Sequence, residues 1–287
     1  MQIIRSIFPW VWILAGLLFA LPACDIVDPP YMTGQEGPGN GQENGELVQK
    51  ILLEEFTGHQ CPNCPEGSAI AQELKDFYGD RLVIMSIHAG WFARVSPGTF
   101  EYDFQTPAGD ALNDFFDVVQ NPIGMVNRVP VDGSRLMGPS AWGEVVSQLM
   151  EQEPASRIQM DVAYDAGSHQ LEVEIGVDAI LPSDGTYHLS VFLTESNIIK
   201  PQRTNNPAYP SGVIEDYNHK YVLRAALNGA FGEQVSTGPV SAGDRFSRSY
   251  SLVLDEEWVA DHCSLIAFVY DGDGMEIIQV EEAALLP

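Results

Sequence analysis

The tightest constraint on how this chain can fold is the placement of Cys61-Pro62-Asn63-Cys64 between an apolar run and an amphipathic one. Upstream, Lys50 to Phe56 (KILLEEF) is a compact apolar stretch of strand length. Downstream, Ile70, Leu74 and Phe77 recur at helical spacing, with Ala71 and Tyr78 beside them. A second apolar run, Arg81 to His88 (RLVIMSIH), follows as a strand. The cysteines therefore stand where a strand hands over to a helix, the setting in which Cys-x-x-Cys reads as a redox pair. The chemistry needs that placement, because the thiolate is the nucleophile and an unperturbed thiol is mostly protonated at neutral pH. N–H groups and the dipole at a helix start stabilise an anion on the first cysteine. The second sulfur, one turn on, can attack a mixed disulfide.

Cys61 is thus the expected attacking thiol, open to solvent, and Cys64 the resolving one. Pro62 and Pro65 suit a first helical turn. His59 is a candidate for tuning the Cys61 thiol, although a lone loop histidine is more often a bystander. Two other readings stay open at this point. One is a structural disulfide in an oxidising compartment. The other is zinc held by Cys61, Cys64 and histidines such as His59 and His88, which lacks a second cysteine pair and fits no common spacing.

Further elements extend the unit. Thr106-Pro107 opens an amphipathic stretch to Val119, in which Leu112, Phe115, Phe116 and Val119 can share one face. Pro122 then stands at the start of an apolar strand, the position where thioredoxin-like folds carry a cis-proline facing the cysteine pair. Asp132-Gly133 is a hairpin turn signal, and Trp142, Val145, Val146 and Leu149 mark a closing helix. The order β-α-β-α-β-β-α is that of a thioredoxin-like α/β domain, assigned to residues 47–153. Cys61, Cys64 and Pro122 are its candidate catalytic residues. Residues 89–105, with Trp91, Phe92, Phe100, Tyr102 and Phe104, read as a surface insertion that covers the pair or meets a partner.

From residue 154 the pattern changes to strict alternation: Ile158, Met160, Val162 and Tyr164; Leu171, Val173, Ile175 and Val177; Tyr187, Leu189, Val191 and Leu193. With turn signals between them and later strands at 246–254, 264–271 and 275–281, residues 154–287 read as an all-β, immunoglobulin-like sandwich. Residues 196–218 read as a surface crossover or binding loop, Asp271-Gly272-Asp273-Gly274 as a hairpin turn, and Cys263 as a buried thiol without a role.

The first 23 residues read as an address. Arg5 precedes an apolar run from Ile7 to Leu21, and no acid occurs before Asp25. That run is short for a spanning helix. Leu21-Pro22-Ala23-Cys24 resembles a bacterial lipobox, so Cys24 is the expected lipidation site and the membrane an expected partner. An ordinary signal peptide, or an uncleaved anchor with an incidental Cys24, is the other reading. Residues 24–46 are rich in Gly, Pro, Gln, Asn and Glu and read as a tether. The formal net charge of −26 argues against nucleic acid as a partner and against adhesion to anionic lipid.

Several stretches together resemble the family called outer membrane protein twenty-eight, lipoproteins of Bacteroidota. They are Glu54 to Gly67 (EEFTGHQCPNCPEG), Ile87-His88-Ala89-Gly90, Pro122 to Arg128 (PIGMVNR) and Tyr217 to Arg224 (YNHKYVLR). The resemblance implies a lipid-anchored outer-membrane protein, periplasmic or surface-facing, with a thioredoxin-like domain and then a β-rich one. It implies no defined activity, and this chain has Gln60 and Pro62-Asn63 where a thioredoxin has Trp and Gly-Pro. Two functions follow as expectations: exchange of thiols and disulfides in exported proteins, or non-enzymatic binding or assembly in the cell envelope with an inert Cys61–Cys64 disulfide. No cofactor or metal is expected for either.

Overall fold

A computed structural model describes residues 47–286 of the protein. The expected signal peptide (1–23), the lipidation site Cys24 and the tether (24–46) lie outside the described residues.

Strand β1 (Ile51–Thr57) and strand β2 (Leu82–His88) are buried at every position and pair in parallel, Ile51 with Leu82 through Thr57 with His88. Parallel strands need a crossover, supplied here by helix α1 (Cys64–Tyr78). Helix α2 (Pro107–Phe115) starts at an N-cap, Thr106, whose hydroxyl accepts from Gly109 N at 3.0 Å. The expected helix to Val119 stops four residues early. Asp117 turns into the left-handed region (φ 52°), leaving Phe115 and Val119 exposed rather than on a shared buried face. Strand β3 (Ile123–Val126) pairs antiparallel with β1, and helix α3 (Pro139–Met150) buries Trp142, Val145, Val146 and Leu149. The expected hairpin at Asp132-Gly133 closes through reciprocal bonds between Val131 and Ser134. Its return strand is reduced to a single bridge, Gly124 with Met137.

Because strand side chains alternate between faces, β1 and β2 serve two layers. Leu52, Phe56, Val83, Met85 and Ile87 join a core with Ala108 and Leu112 of α2. Glu55, Ile84, Ser86 and His88 face α1 instead.

The remaining strands are β4 (Ser156–Asp165), β5 (Gln170–Ala179), β6 (Tyr187–Glu195), β7 (Ile198–Arg203), β8 (Val213–His219), β9 (Val222–Ala226), β10 (Glu233–Gln234), β11 (Arg245–Val253), β12 (Cys263–Asp271) and β13 (Ile277–Ala284). The main sheet runs β13-β12-β6-β9-β2-β1-β3, with β10 also on β6. It therefore crosses the boundary expected at 153/154. The crossing is made by β9, which pairs with β2 at Ser86–Val222, beside a bond from Ser86 N to Tyr221 O of 2.8 Å. A three-stranded sheet, β11-β5-β4, packs on one face of β6 and β12 through Leu171, Val173, Ile175, Leu189, Val191 and Leu265. The other face of β6 and β12 gives Phe192, Ile266 and Phe268 to the α2 core. So β6 and β12 are sandwiched between two cores, which is why they are buried almost throughout.

The stretch expected as a crossover at 196–218 is instead a β-hairpin. β7 and β8 form their own two-stranded sheet, with no ladder to the other two.

Candidate functional site

The chain enters the site along β1 and turns at Gly58. Cys61 N donates to Gly58 O at 2.9 Å, and Cys64 is the first residue of α1, with Asn63 as its N-cap. Cys61 and Cys64 are joined by a disulfide, Cα atoms 5.4 Å apart. The Asn121–Pro122 peptide is cis. Pro122 packs on the first turn of α1: a Cβ added at Gly67 would come within 2.9 Å of Pro122 Cβ. Sequence positions 61, 64 and 122, far apart in the chain, thus converge on one helix start.

The expectation of a solvent-open Cys61 is corrected. Both cysteines are buried, at 1% exposure each. The cover is the β7–β8 hairpin and the residues that follow β7. Arg203 N donates to His59 O at 2.8 Å and Asn205 N to Pro62 O at 3.0 Å. Gln202 Nε2 donates to Cys61 O at 2.9 Å and to Gly58 O at 3.3 Å. These contacts span more than 140 residues, so no local pattern around the cysteines announces them.

His59 does not carry the charge a thiol-tuning role needs. Its ring is buried, stacked on Phe100 and set edge-on to Phe104, with Nε2 2.9 Å from Arg94 O. Burial lowers its pKa below the ordinary histidine value, so the ring is neutral at pH 7. The aromatic insertion divides accordingly. Phe100 and Phe104 fold inward as packing for His59, while Trp91 stays exposed, with the Arg94 guanidinium 4.4 Å above its ring.

Gly58 admits no side chain. A Cβ there would meet the Phe92 carbonyl carbon and oxygen at 2.5 Å and Ala93 N at 2.7 Å, because the 92–93 peptide lies flat against it. Both neighbours are backbone and cannot step aside. Gly58→Ala is expected to cost about 1–3 kcal/mol by overpacking, read as a lower thermal midpoint. An unchanged midpoint would show that the 92–94 segment yields freely.

Sequence reading missed the polar layer between α1 and the hairpin. A cavity of about 290 Å³ lies between α1, the edge of β2 and the hairpin, lined among others by Glu55, Ser68, His88, Gln202, Tyr217 and His219. Glu55 accepts from Ser68 Oγ at 2.8 Å and from Ser86 Oγ at 3.2 Å. Burial pushes its pKa up to about 7, with the two hydroxyls pulling the other way. Ser68 is one helical turn past Cys64, so the Glu55 carboxyl is bonded to the cysteine end of α1. Phe104 fills the space between His88, at 4.4 Å between ring centres, and His219, at 4.5 Å. Burial holds the pKa of His88 well below the usual histidine value and that of His219 down at about 3. The signal for Glu55 was present in the sequence: KILLEEF places two adjacent acids in a run otherwise fit for a core.

Cys263 is buried and unpaired, its thiol pushed up to about 12 by burial and by Glu195, which fits the expected inert packing residue. Among the described residues no helix is long and apolar enough to cross a membrane.

A family model described as Outer membrane protein Omp28 matches residues 109–287, which leaves the cysteine pair outside the matched span. No curated protein matches the chain. Among solved structures the chain is similar to HBP35 of Porphyromonas gingivalis, at 18% identity and a TM-score of 0.63, over 84% of this chain and 76% of that one. That likeness is one of fold: a mixed α/β body with a large mixed sheet and further β sheets. A domain of the outer membrane lipoprotein Omp28 from Porphyromonas gingivalis aligns at 18% identity and a TM-score of 0.30, over 47% of this chain and 90% of that one. A protein from Agrobacterium tumefaciens aligns at 12% identity and a TM-score of 0.49, over 84% and 96%.

Proposed function

The chain belongs to the outer membrane protein Omp28 family, and from that premise and the disulfide site we propose that it is a lipid-anchored protein that exchanges thiols and disulfides with exported proteins. Its place is the outer membrane. Lipid on Cys24 is the anchor in this reading, with the tether holding the folded body off the bilayer.

The observation that carries the exchange reading is the convergence of a Cys-x-x-Cys disulfide and Pro122 on the start of one helix. Strand, helix, strand, helix, strand, helix through Met150, with β3 antiparallel to β1, supports a thioredoxin-like first half. The face-to-face packing of β4, β5 and β11 on β6 and β12 supports an immunoglobulin-like reading of the second.

The exchange balances as follows. A partner thiolate attacks Cys61 Sγ, the Cys61–Cys64 bond breaks, and Cys64 leaves as a thiolate. The partner's second thiolate then attacks its own sulfur in the mixed disulfide and releases Cys61. The partner gains a disulfide, and its two electrons and two protons end on the Cys61 and Cys64 thiols. The reverse sequence reduces a partner disulfide. Glu55, near half-ionised at pH 7, is suited to hold or return a proton beneath Cys64.

Burial of both cysteines favours the second reading, a structural disulfide in an envelope binding or assembly protein. Insulin reduction coupled to dithiothreitol separates the two. The exchange reading expects wild type to exceed Cys61→Ser by about tenfold or more. Equal, background-level rates would leave only the structural disulfide.

A further inference from the structure

We infer that the β7–β8 hairpin is a lid seated on the partner-binding face of the disulfide, and that an extended segment of a partner polypeptide replaces residues 202–205 when it lifts. The inference builds on the exchange reading.

The contacts have the form of strand addition. Arg203 and Asn205, two residues apart, donate their backbone N–H groups to His59 O and Pro62 O on either side of Cys61. That alternate-residue pattern is how a sheet edge or loop holds an extended peptide. Gln202 takes the carbonyls of Gly58 and Cys61 between them, and Asn205 Nδ2 adds a bond to Asn63 Oδ1 at 2.6 Å. Every one of these is a bond that another peptide or water can replace.

The hairpin is also built to leave. It shares no ladder with either larger sheet, and residues 205–211 beyond β7 are exposed. Its underside is polar, with Gln202, Tyr217 and His219 set over Glu55 and Ser68 across the cavity. Its apolar seat is Ile198 against Phe104 and Val222, with the His219 ring 4.5 Å from that of Phe104, and its hold on the cysteine loop is by hydrogen bonds, which an element that opens locally can exchange for water. Each root carries a non-glycine residue in the left-handed region, Asn197 (φ 60°) and Tyr221 (φ 56°). The roots are tied by Tyr221 N to Ser196 Oγ at 2.9 Å and by Asn218 Nδ2 to Asn197 Oδ1 at 3.2 Å. Such end positions are where a hinge absorbs backbone rotation.

The test is the rate at which a water-soluble phosphine reduces Cys61–Cys64 in the folded protein, read by maleimide trapping and mass. Gln202→Ala removes the side-chain bonds, and Asn205→Pro removes the donor to Pro62 O. Together they should speed reduction by about tenfold or more, since several hydrogen bonds that hold the lid are gone. Rates within twofold of wild type, in variants with wild-type circular dichroism, overturn the lid. Should the variants misfold, hydrogen exchange of the wild type decides. The amides of Arg203 and Asn205 should exchange far faster than those of β1, and equal protection overturns the inference. Variants reduced quickly by phosphine that still fail to exchange with insulin would keep the lid and defeat the exchange reading.

Discussion

Arg128→Ala is expected to destabilise the protein by about 3–5 kcal/mol, because it leaves a fully buried carboxylate without its partner. Arg128 Nε and Nη2 donate to the two oxygens of Glu54, each at 2.7 Å, and both side chains are at 0% exposure. Two parallel bonds of this length are the strong, orientation-fixing form of the pair. The guanidinium also lies over the rings of Phe268 and Phe116, at 5.0 and 5.2 Å. The pair is placed by the strand-end geometry after β3. Asn127 and Arg128 both take positive φ, and Asn127 Oδ1 accepts from Leu52 N at 2.7 Å, which pins the turn to β1. Glu54→Gln should cost less than Arg128→Ala, since the Gln oxygen still accepts one bond. The double change Glu54→Leu with Arg128→Met should recover most of the loss, since an apolar pair of similar bulk removes both desolvation costs. Urea denaturation of the three variants checks the order. A loss under about 1 kcal/mol for Arg128→Ala would mean that the site admits water.

Why Pro122 to Arg128 reads as a motif is therefore a matter of structure: Pro122 abuts α1, Gly124 has no room beside Trp142, Asn127 ties the turn, and Arg128 neutralises Glu54. The first half was legible because its elements are local and periodic, with helix starts at Thr106-Pro107 and strands of near-continuous apolar residues. The second half was legible as strands but not as a sheet order. Alternation in β4 and β5 reflects one wet face, and β11 shares that pattern. In β6 and β12 the residues between the alternating set, such as Phe192, Ile266 and Phe268, are also buried. Those extra apolar residues were the trace of a second core and hence of a sheet continuing into the first half. What periodicity could not carry was the hairpin over the disulfide. Its strands are short, mostly polar and proline-bearing, and its contacts with the cysteine loop are main-chain and amide bonds that leave no side-chain pattern.

Acid should destabilise the protein through His88 and His219, and Glu55 should mask part of the loss. Both histidines have folded-state pKa values below the ordinary one, so they contribute stability above pH 6.5 that is lost as the pH falls and the unfolded chain binds protons the fold refuses. For His219, held down at about 3, this amounts to about 2 kcal/mol at pH 5, taking about 6.5 for the unfolded residue, and His88 adds a loss of the same sign. Glu55 has the opposite sign. Its folded value is raised to about 7, so its contribution is complete below pH 4.5 and disappears as the pH rises through 7. Between pH 7 and pH 5 the carboxyl therefore returns about 2 kcal/mol of stability, which offsets the about 2 kcal/mol that His219 withdraws and leaves the loss at His88 uncompensated. Wild type should therefore lose stability only gently over that interval, by urea denaturation at each pH. Glu55→Gln removes the compensation. It should be more stable than wild type at pH 7 by about 3 kcal/mol, because it buries no charge, yet lose about 2 kcal/mol more than wild type on going from pH 7 to pH 5. Parallel pH profiles for the two proteins would show that Glu55 is not the buried, proton-holding group under α1.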